Sequence, residues 1–350
     1  MLFTSDNWAG VHPTIMDALV RVNDGSVPAY GNDQLTAEVQ KQFSELFERD
    51  CFVWFATTGG AANGLALSQL VPPYGATFCH EVSHVQMDEC ATPEFYTGGA
   101  KLLTLPGEGA KLAAASVDEG MRFYTPPQTH HVKPWALSLT QGTEAGTVYA
   151  VSEVGALGEV AKRHGLKVHM DGARFSNAVA QLGCNPADIT WRAGVDVLCF
   201  GATKNGALAA EAVIFFNEED TKDFAWRHKR SGHVWSKGRF MAAQWQAFLK
   251  DDLWLTLAGH ANTMAARLSA GLEKINECKV VHPTEINEVF VLFPDGVAEA
   301  LLAKGAQFYD WVYPGDQWQG KLKRLVTSYV TTEEEVDHFL SEVKSACPGD

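Results

Sequence analysis

The sequence predicts an α/β fold, with a mostly parallel sheet in a large domain and a smaller α+β domain at the C-terminal end. Short apolar runs without polar alternation recur between helical patterns, as in a sheet covered on both faces. From about residue 238 the pattern changes to long helices and isolated strands. A chain of 350 residues with 46% hydrophobic content also exceeds what a single core usually serves.

Helical periodicity covers 13–22 and 35–49, and 52–55 reads as a buried strand. Thr57-Thr58-Gly59-Gly60-Ala61-Ala62-Asn63 then turns into a helical pattern over 64–70, which Val71-Pro72-Pro73 ends. Strands are expected at 76–79, 101–105, 136–140, 167–170 and 195–200, with helices at 151–164 and 173–182. The later part holds helices at 239–249, 254–275 and 297–304 and strands at 287–293 and 324–329. It closes with a helix over 333–344, begun by Thr331-Thr332-Glu333-Glu334-Glu335 with capping residues and acids in its first turn. The expected division is an N-terminal segment (1–25), a large cofactor-binding domain (26–240) and a small domain (241–350). No repeat, low-complexity tract or Gly/Ser linker marks the boundaries.

Composition removes several function classes. With 42 acidic against 28 basic residues the net charge is −14, and the basic residues are scattered except for Arg227-His228-Lys229-Arg230. That balance argues against a nucleic-acid surface. Seven cysteines form no C-x-x-C pair, and their odd count and wide spacing do not suggest a disulfide framework. The start Met1-Leu2-Phe3-Thr4-Ser5-Asp6 lacks a basic segment followed by an apolar one, and no apolar stretch approaches about 18 residues. A cytoplasmic protein without a membrane partner is expected.

Two strand ends carry the chemistry. Val168-His169-Met170 runs into Asp171-Gly172-Ala173-Arg174, and the 195–200 strand runs into Gly201-Ala202-Thr203-Lys204-Asn205-Gly206. Each delivers an ionisable residue past a carboxyl end, where the ligand crevice of such a sheet lies and small residues leave room. A lysine there can act as an imine-forming nucleophile. An aspartate one strand away can hold a protonated pyridine nitrogen, the pairing that makes pyridoxal phosphate an electron sink. Gly59 and Gly60 precede helix amides that could hold a phosphate. His84 suits stacking on an aromatic cofactor. The spacing of His80, Glu81, His84 and Asp88 lacks a zinc-type H-E-x-x-H pattern, so no metal is expected. Each residue also has a plainer reading: Asp171 as a helix cap, Arg174 paired with a carboxylate, His130 and His131 as an exposed loop pair, Arg324 at the surface of the small domain.

Taken together these motifs resemble the low-specificity L-threonine aldolases of the β-eliminating lyase group, fold-type-I pyridoxal-phosphate enzymes with a PLP-dependent transferase-like fold. The resemblance runs from Ser5-Asp6-Asn7 and Tyr30-Gly31-Asn32-Asp33 through the His84 to Gly99 block, Gln141-Gly142-Thr143-Glu144-Ala145-Gly146, His169 to Phe175 and Phe200 to Gly206, to Lys323-Arg324-Leu325-Val326-Thr327. It implies that Lys204 anchors the cofactor, Asp171 pairs with the pyridine nitrogen, and His84 stacks on the ring. Gly59, Gly60 and Ala61 would lie at the phosphate, with Gln141 and Thr203 also at the cofactor. Ser5, Arg174 and Arg324 match positions that hold the substrate carboxylate. Glu89 matches an acid beside the site, His130 a loop histidine near the substrate hydroxyl, and Tyr30 a residue that reaches a neighbouring subunit's site. A homodimer or homotetramer with shared sites is thereby implied. One departure is Gly60, where the family usually has threonine; the amide remains but a hydroxyl is lost, and Lys229 or Arg230 could add charge.

The implied activity is reversible Cα–Cβ cleavage of L-threonine, L-allo-threonine or related β-hydroxy-α-amino acids such as phenylserine to glycine and an aldehyde. His84 and His130 are both candidates for the base that removes the hydroxyl proton. The alternatives are a tryptophanase-like β-eliminating lyase of aromatic amino acids and a non-catalytic binding protein that has kept the fold.

Overall fold

The computed structural model describes residues 1–315 and 317–347, and two sheets organise them. The larger has seven strands: β1 (Phe52–Ala56), β2 (Gly75–His80), β3 (Lys101–Leu105), β4 (Lys133–Thr140), β5 (Lys167–Gly172), β6 (Val197–Gly201) and β7 (Glu211–Phe215). Their spatial order is β1-β7-β6-β5-β4-β2-β3. β7 runs antiparallel to both its neighbours, whereas β6, β5, β4, β2 and β3 pair in parallel. The smaller sheet is antiparallel, in the order β10-β11-β9-β8, from β8 (Lys279–Val280), β9 (Glu288–Leu292), β10 (Tyr309–Asp310) and β11 (Leu322–Val326).

The helices, in chain order, are α1 (Pro13–Arg21), α2 (Gln34–Leu46), α3 (Gly59–Leu70), α4 (His84–Met87), α5 (Thr92–Thr97), α6 (Ala114–Arg122), α7 (Val151–His164), α8 (Phe175–Leu182), α9 (Phe224–Arg230), α10 (Arg239–Leu249), α11 (Leu253–Leu272), α12 (Val297–Ala303) and α13 (Glu333–Ala346). Among the described residues no helix is long and apolar enough to cross a membrane.

Every residue of β6 and β7 is buried, which accounts for their unbroken apolar runs. On one face of the large sheet Phe43, Phe47, Phe175, Phe200, Trp245 and Trp254 pack together, and the Phe200 ring centroid lies 5.2 Å from that of Trp245. On the other face Ala62, Leu65 and Ala66 of α3 meet Val197, Val213 and Phe215. The small residues of α3 let that helix lie close to the strands; it directly follows β1, which runs in the same direction as β6, so its N-terminus lies at the carboxyl end of that strand. Helix ends follow local chemistry: Gly165, at φ 65°, caps α7 after Lys162, Arg163 and His164, and Thr332 with Glu335 forms the capping box of α13.

The expected boundary at 240/241 falls inside α10, after its second residue. Met241, Trp245 and Phe248 of that helix belong to the core of the large sheet, because the apolar face of α10 covers α1 and α2. The change of core comes along α11, whose Met264 and Leu268 pack with Val289, Val291, Leu325, Val336 and Phe339. Residue Phe3 lies in that second core too. Its N–H donates to Gln307 O at 2.9 Å and its carbonyl accepts from Val326 N at 2.8 Å. The chain then crosses to the large sheet, where His12 N donates to Gly206 O at 2.8 Å. This strap carries Ser5 and Asp6 across the space between the two cores.

The short elements α5, α6, α9, β8 and β10 add to the expected set, and two differences bear on the site. β7 was not anticipated, because the Ala-rich approach to it, Ala207-Leu208-Ala209-Ala210, gives no turn signal or alternation. Helix α3 starts at Gly59 rather than residue 64: Thr58 is its N-cap, its side chain accepting from Ala61 N, so the two glycines form the first turn.

Candidate active site

A cleft of about 280 Å³ opens at the carboxyl ends of β4, β5 and β6, roofed by the small sheet. Ser5, His84, Asp171, Arg174, Lys204 and Arg324 all line it. Asp171 sits at the end of β5 and is only 2% exposed. Its Oδ1 accepts from Ala173 N at 3.0 Å and its Oδ2 from Asn63 Nδ2 at 2.8 Å. Lys204 lies on the short turn after β6 (Thr203–Asn205). Glycine is required at Gly201: a Cβ there would meet Ala173 O and the Glu211 carboxylate, each at 2.9 Å. The loops carrying Asp171 and Lys204 can therefore pass close together.

The base of the cleft is a hydrogen-bonded acid network. Asn63 Nδ2 also donates to Glu89 Oε1 at 2.7 Å, and the same oxygen lies 2.8 Å from His84 Nδ1. Burial alone would lower the pKa of His84; the hydrogen bond to Glu89 and the charge of Asp171 raise it above the ordinary value. Among the described residues, His84, Glu89 and Asp171 are the donors gathered closely enough, within 4.8 Å, to surround a cation. The Asn63 amide already bridges the two carboxylates. The His80, Glu81, His84, Asp88 spacing does not converge, and His80 Nε2 lies 3.0 Å from Gly107 O.

The two arginines differ in how they are satisfied. Arg174 Nε donates to Asp6 Oδ2 at 2.9 Å and its Nη2 to Asp6 Oδ1 at 3.2 Å, with Glu288 Oε1 at 3.3 Å. Burial alone would lower the pKa of Arg174, but Asp6 and Glu288 hold it above the usual value. Arg324 reaches Glu288 only at 3.6 Å, and its Nε is buried without a hydrogen-bond partner. Its guanidinium carbon lies 4.0 Å from the Trp311 ring centroid. Burial, with the neighbouring Arg174 charge, pulls its pKa down. The cleft thus holds one paired guanidinium and one short of an anionic partner.

Other expected residues lie elsewhere. Gln141 is fully buried, and its amide is spent on the backbone of Tyr149: Nε2 donates to Tyr149 O at 2.8 Å and Oε1 accepts from Tyr149 N at 2.9 Å. It fixes the loop from 141 to 149 and does not line the cleft. Thr203 donates to Glu211 and accepts from Ala210 N at 3.1 Å, so its hydroxyl is likewise engaged. His130 is exposed on the loop before β4. Tyr30, at φ 62°, lines a separate cavity of about 410 Å³ with His228, His233 and Trp235. The Lys229 ammonium lies 5.0 Å from the Tyr30 ring centroid, and Lys229 and Arg230 are exposed. Gly59, Gly60 and Ala61 form the first turn of α3; a Cβ at Gly59 would meet nothing within 4 Å.

Sequence reasoning missed Asn63, Asp6, Glu144, Glu211 and Glu288. Asp6 is held below the usual carboxylate range: burial alone would raise it, but Arg174 and Lys204 outweigh that. Burial pushes Glu211 up to about 7, against the Thr203 hydrogen bond and the Lys204 charge.

The donor set fits pyridoxal phosphate. A lysine amine and a buried carboxylate face one cleft from neighbouring strand ends, and the α3 helix terminus offers amides to a phosphate. The fold and site are those of a pyridoxal-phosphate-dependent enzyme of fold type I.

The family model for β-eliminating lyases matches residues 3–295. The chain is 43% identical over 343 residues to a low specificity L-threonine aldolase of a Pseudomonas species, covering 98% of this chain and 97% of that one. It is also 43% identical to the enzyme of that name from Pseudomonas aeruginosa, over 98% and 96% of the two chains. A solved Leishmania major threonine aldolase superposes with a TM-score of 0.91 at 30% identity, covering 98% of both chains. The chain belongs to the β-eliminating lyase family, in the group of low-specificity L-threonine aldolases.

Proposed function

We propose that the protein is a pyridoxal-phosphate-dependent aldolase that reversibly cleaves L-threonine, L-allo-threonine or related β-hydroxy-α-amino acids such as phenylserine to glycine and an aldehyde. The carrying observation is that Lys204, Asp171, His84 and the under-paired Arg324 face one cleft. When bound, pyridoxal phosphate supplies an electron sink for the pair left on Cα when a bond to that carbon breaks. The rest is work of the chain. Lys204 would supply the amine that holds the cofactor. Asp171, its Oδ2 fixed by Asn63, would hold the pyridine nitrogen in its protonated form. Gly59, Gly60 and Ala61 offer amides to the phosphate.

Arg324 takes the substrate carboxylate as a fork, with Ser5 beside it; Arg174 borders the same space and is held in place by Asp6. A clamped carboxylate fixes which Cα bond is aligned for cleavage. His84, supported by Glu89, takes the β-hydroxyl proton, a transfer worth typically 10²–10⁴ in rate. His130 is not among the groups that a single chain brings to the cleft. We also propose a cytoplasmic homodimer or homotetramer in which Tyr30 reaches a neighbouring site, and a division of the two units within α11.

The test supplies L-threonine and phenylserine to the holoenzyme and measures products. Glycine with acetaldehyde or benzaldehyde is expected, and the visible absorption band of the bound cofactor should vanish in Lys204→Ala. Ammonia and a keto acid as the sole products would mark a β-eliminating lyase; a protein with no bound chromophore and no turnover would be a binding protein.

A further inference from the structure

We propose that Glu144 is the positioning residue that seats His84 over the cleft. The inference rests on the His84 role above. α4 is a single turn whose N-cap, Ser83, makes no side-chain capping bond. The missing cap comes from another loop: Glu144 Oε1 accepts from His84 N at 2.6 Å. A helix start left without such an acceptor is weakened, and a four-residue helix has little else to hold it.

The backbone of Glu144 is itself held. Its backbone carbonyl accepts from Tyr313 Oη at 2.9 Å, on the segment between β10 and β11. Gly142 and Glu144 line the same cleft as His84, so a shift of this loop would be felt where the ring lies. The second carboxylate oxygen, Oε2, is buried with no hydrogen-bond partner. A buried oxygen with nothing to accept from favours the neutral acid, and burial together with Asp171 pushes the Glu144 pKa up to about 7. One oxygen is thus committed to the His84 amide, while the side chain carries less negative charge than an ordinary carboxylate beside Asp171, Asp88 and Glu288. Glutamine reproduces that arrangement, with its carbonyl oxygen on the amide and no charge. Aspartate reproduces the charge but ends one methylene short of the amide.

The experiment compares Glu144→Gln, Glu144→Asp and Glu144→Ala in the full-length holoenzyme by two readouts. These are kcat and KM for L-threonine, and backbone hydrogen exchange in peptides spanning 81–89. Glu144→Gln should keep kcat within about threefold of the parent and keep the protection of the 81–89 segment. Glu144→Asp and Glu144→Ala should lose about tenfold or more in kcat with KM changed by less than about threefold, and exchange faster at 81–89, in line with a lost cap. If Glu144→Ala does not fold, the Gln and Asp pair still decides. Glu144→Gln as impaired as Glu144→Asp would overturn the inference in favour of a charge or proton-transfer role. Unchanged exchange in Glu144→Asp would overturn it as well. Failure of the aldolase assay in the parent enzyme would count against the His84 role alone, since exchange at 81–89 does not depend on turnover.

Discussion

Arg174 and Arg324 line the same cleft, yet removing them should damage the protein in different ways. Arg174 is 11% exposed at its side chain and stands against Asp6 and Glu288, each 1% exposed. In Arg174→Ala buried Asp6 loses its paired guanidinium, and Glu288 loses the closer of its two. Breaking a buried pair in that manner costs roughly 3–5 kcal/mol, or a fall in Tm of roughly 6–10 °C at about 2 °C per kcal/mol for a large domain. Arg324 offers a contrast. Its nearest carboxylate oxygen is 3.6 Å away and Glu288 retains Arg174, so Arg324→Ala forfeits mainly the stack on Trp311, about 0.5–2 kcal/mol. What it loses is the substrate. Two charge-assisted hydrogen bonds at about 1.5–3 kcal/mol each correspond to roughly 10²–10⁴ in kcat/KM. Thermal melts of the holoenzymes and steady-state kinetics on L-threonine separate the two costs. A large loss of Tm in Arg324→Ala, with kcat/KM within tenfold of the parent, would falsify the assignment of Arg324 as the carboxylate receptor.

Glu211 gives a pH prediction. Its pKa is raised in the folded protein to about 7 by burial, so the folded state holds a proton that the unfolded chain releases near the ordinary glutamate value. Stability from that proton is fully present below the unfolded pKa and is lost as pH rises through about 7. Glu211→Gln keeps an acceptor for Thr203 and has no charge to bury. Its stability relative to the parent in urea titrations should therefore improve between pH 5 and pH 8 by on the order of 2 kcal/mol, and parallel curves would contradict the cause given. Gly60→Ser probes the phosphate turn. A Cβ at Gly60 would sit 3.6 Å from the nearest Glu89 atoms, an ordinary contact, so the added hydroxyl fits. Cofactor affinity, measured by equilibrium dialysis, should rise by up to about tenfold, as one hydrogen bond to a phosphate would give; weaker binding would mean that this turn does not face the phosphate.

The sheet was legible because β4, β5 and β6 are covered on both faces and so leave unbroken apolar runs, each ending where the polar residues begin. β7 left no such mark, since its antiparallel return follows an alanine-rich stretch that lacks turn residues. Lys204 and Asp171 were readable because each follows its own strand. The acids that tune them were not. Asp6 and Arg174 are 168 positions apart, and Glu144 meets His84 from 60 positions away, separations at which no periodicity links two residues. Gln141 illustrates the opposite limit: its place in a motif gives its neighbourhood but not the direction of its amide, which the Tyr149 backbone claims.

The strap at the start of the chain bears on synthesis as well as on architecture. Phe3 and Asp6 are made long before their partners: Phe3 hydrogen-bonds to Gln307 and Val326, and Asp6 accepts from Asn287, 281 positions later, at 3.0 Å. Arg174 can take Asp6 at mid-chain, but Phe3 has no native place to go until the second core is made, and stays in water until then. The large sheet can close beforehand, with Lys204 and Asp171 already in position; the wall that carries Ser5, Asp6 and Arg324 cannot. Pairings of such high sequence separation are slow. The cleft is therefore completed last, and a nascent chain can fold its cofactor floor before it can recognise a substrate.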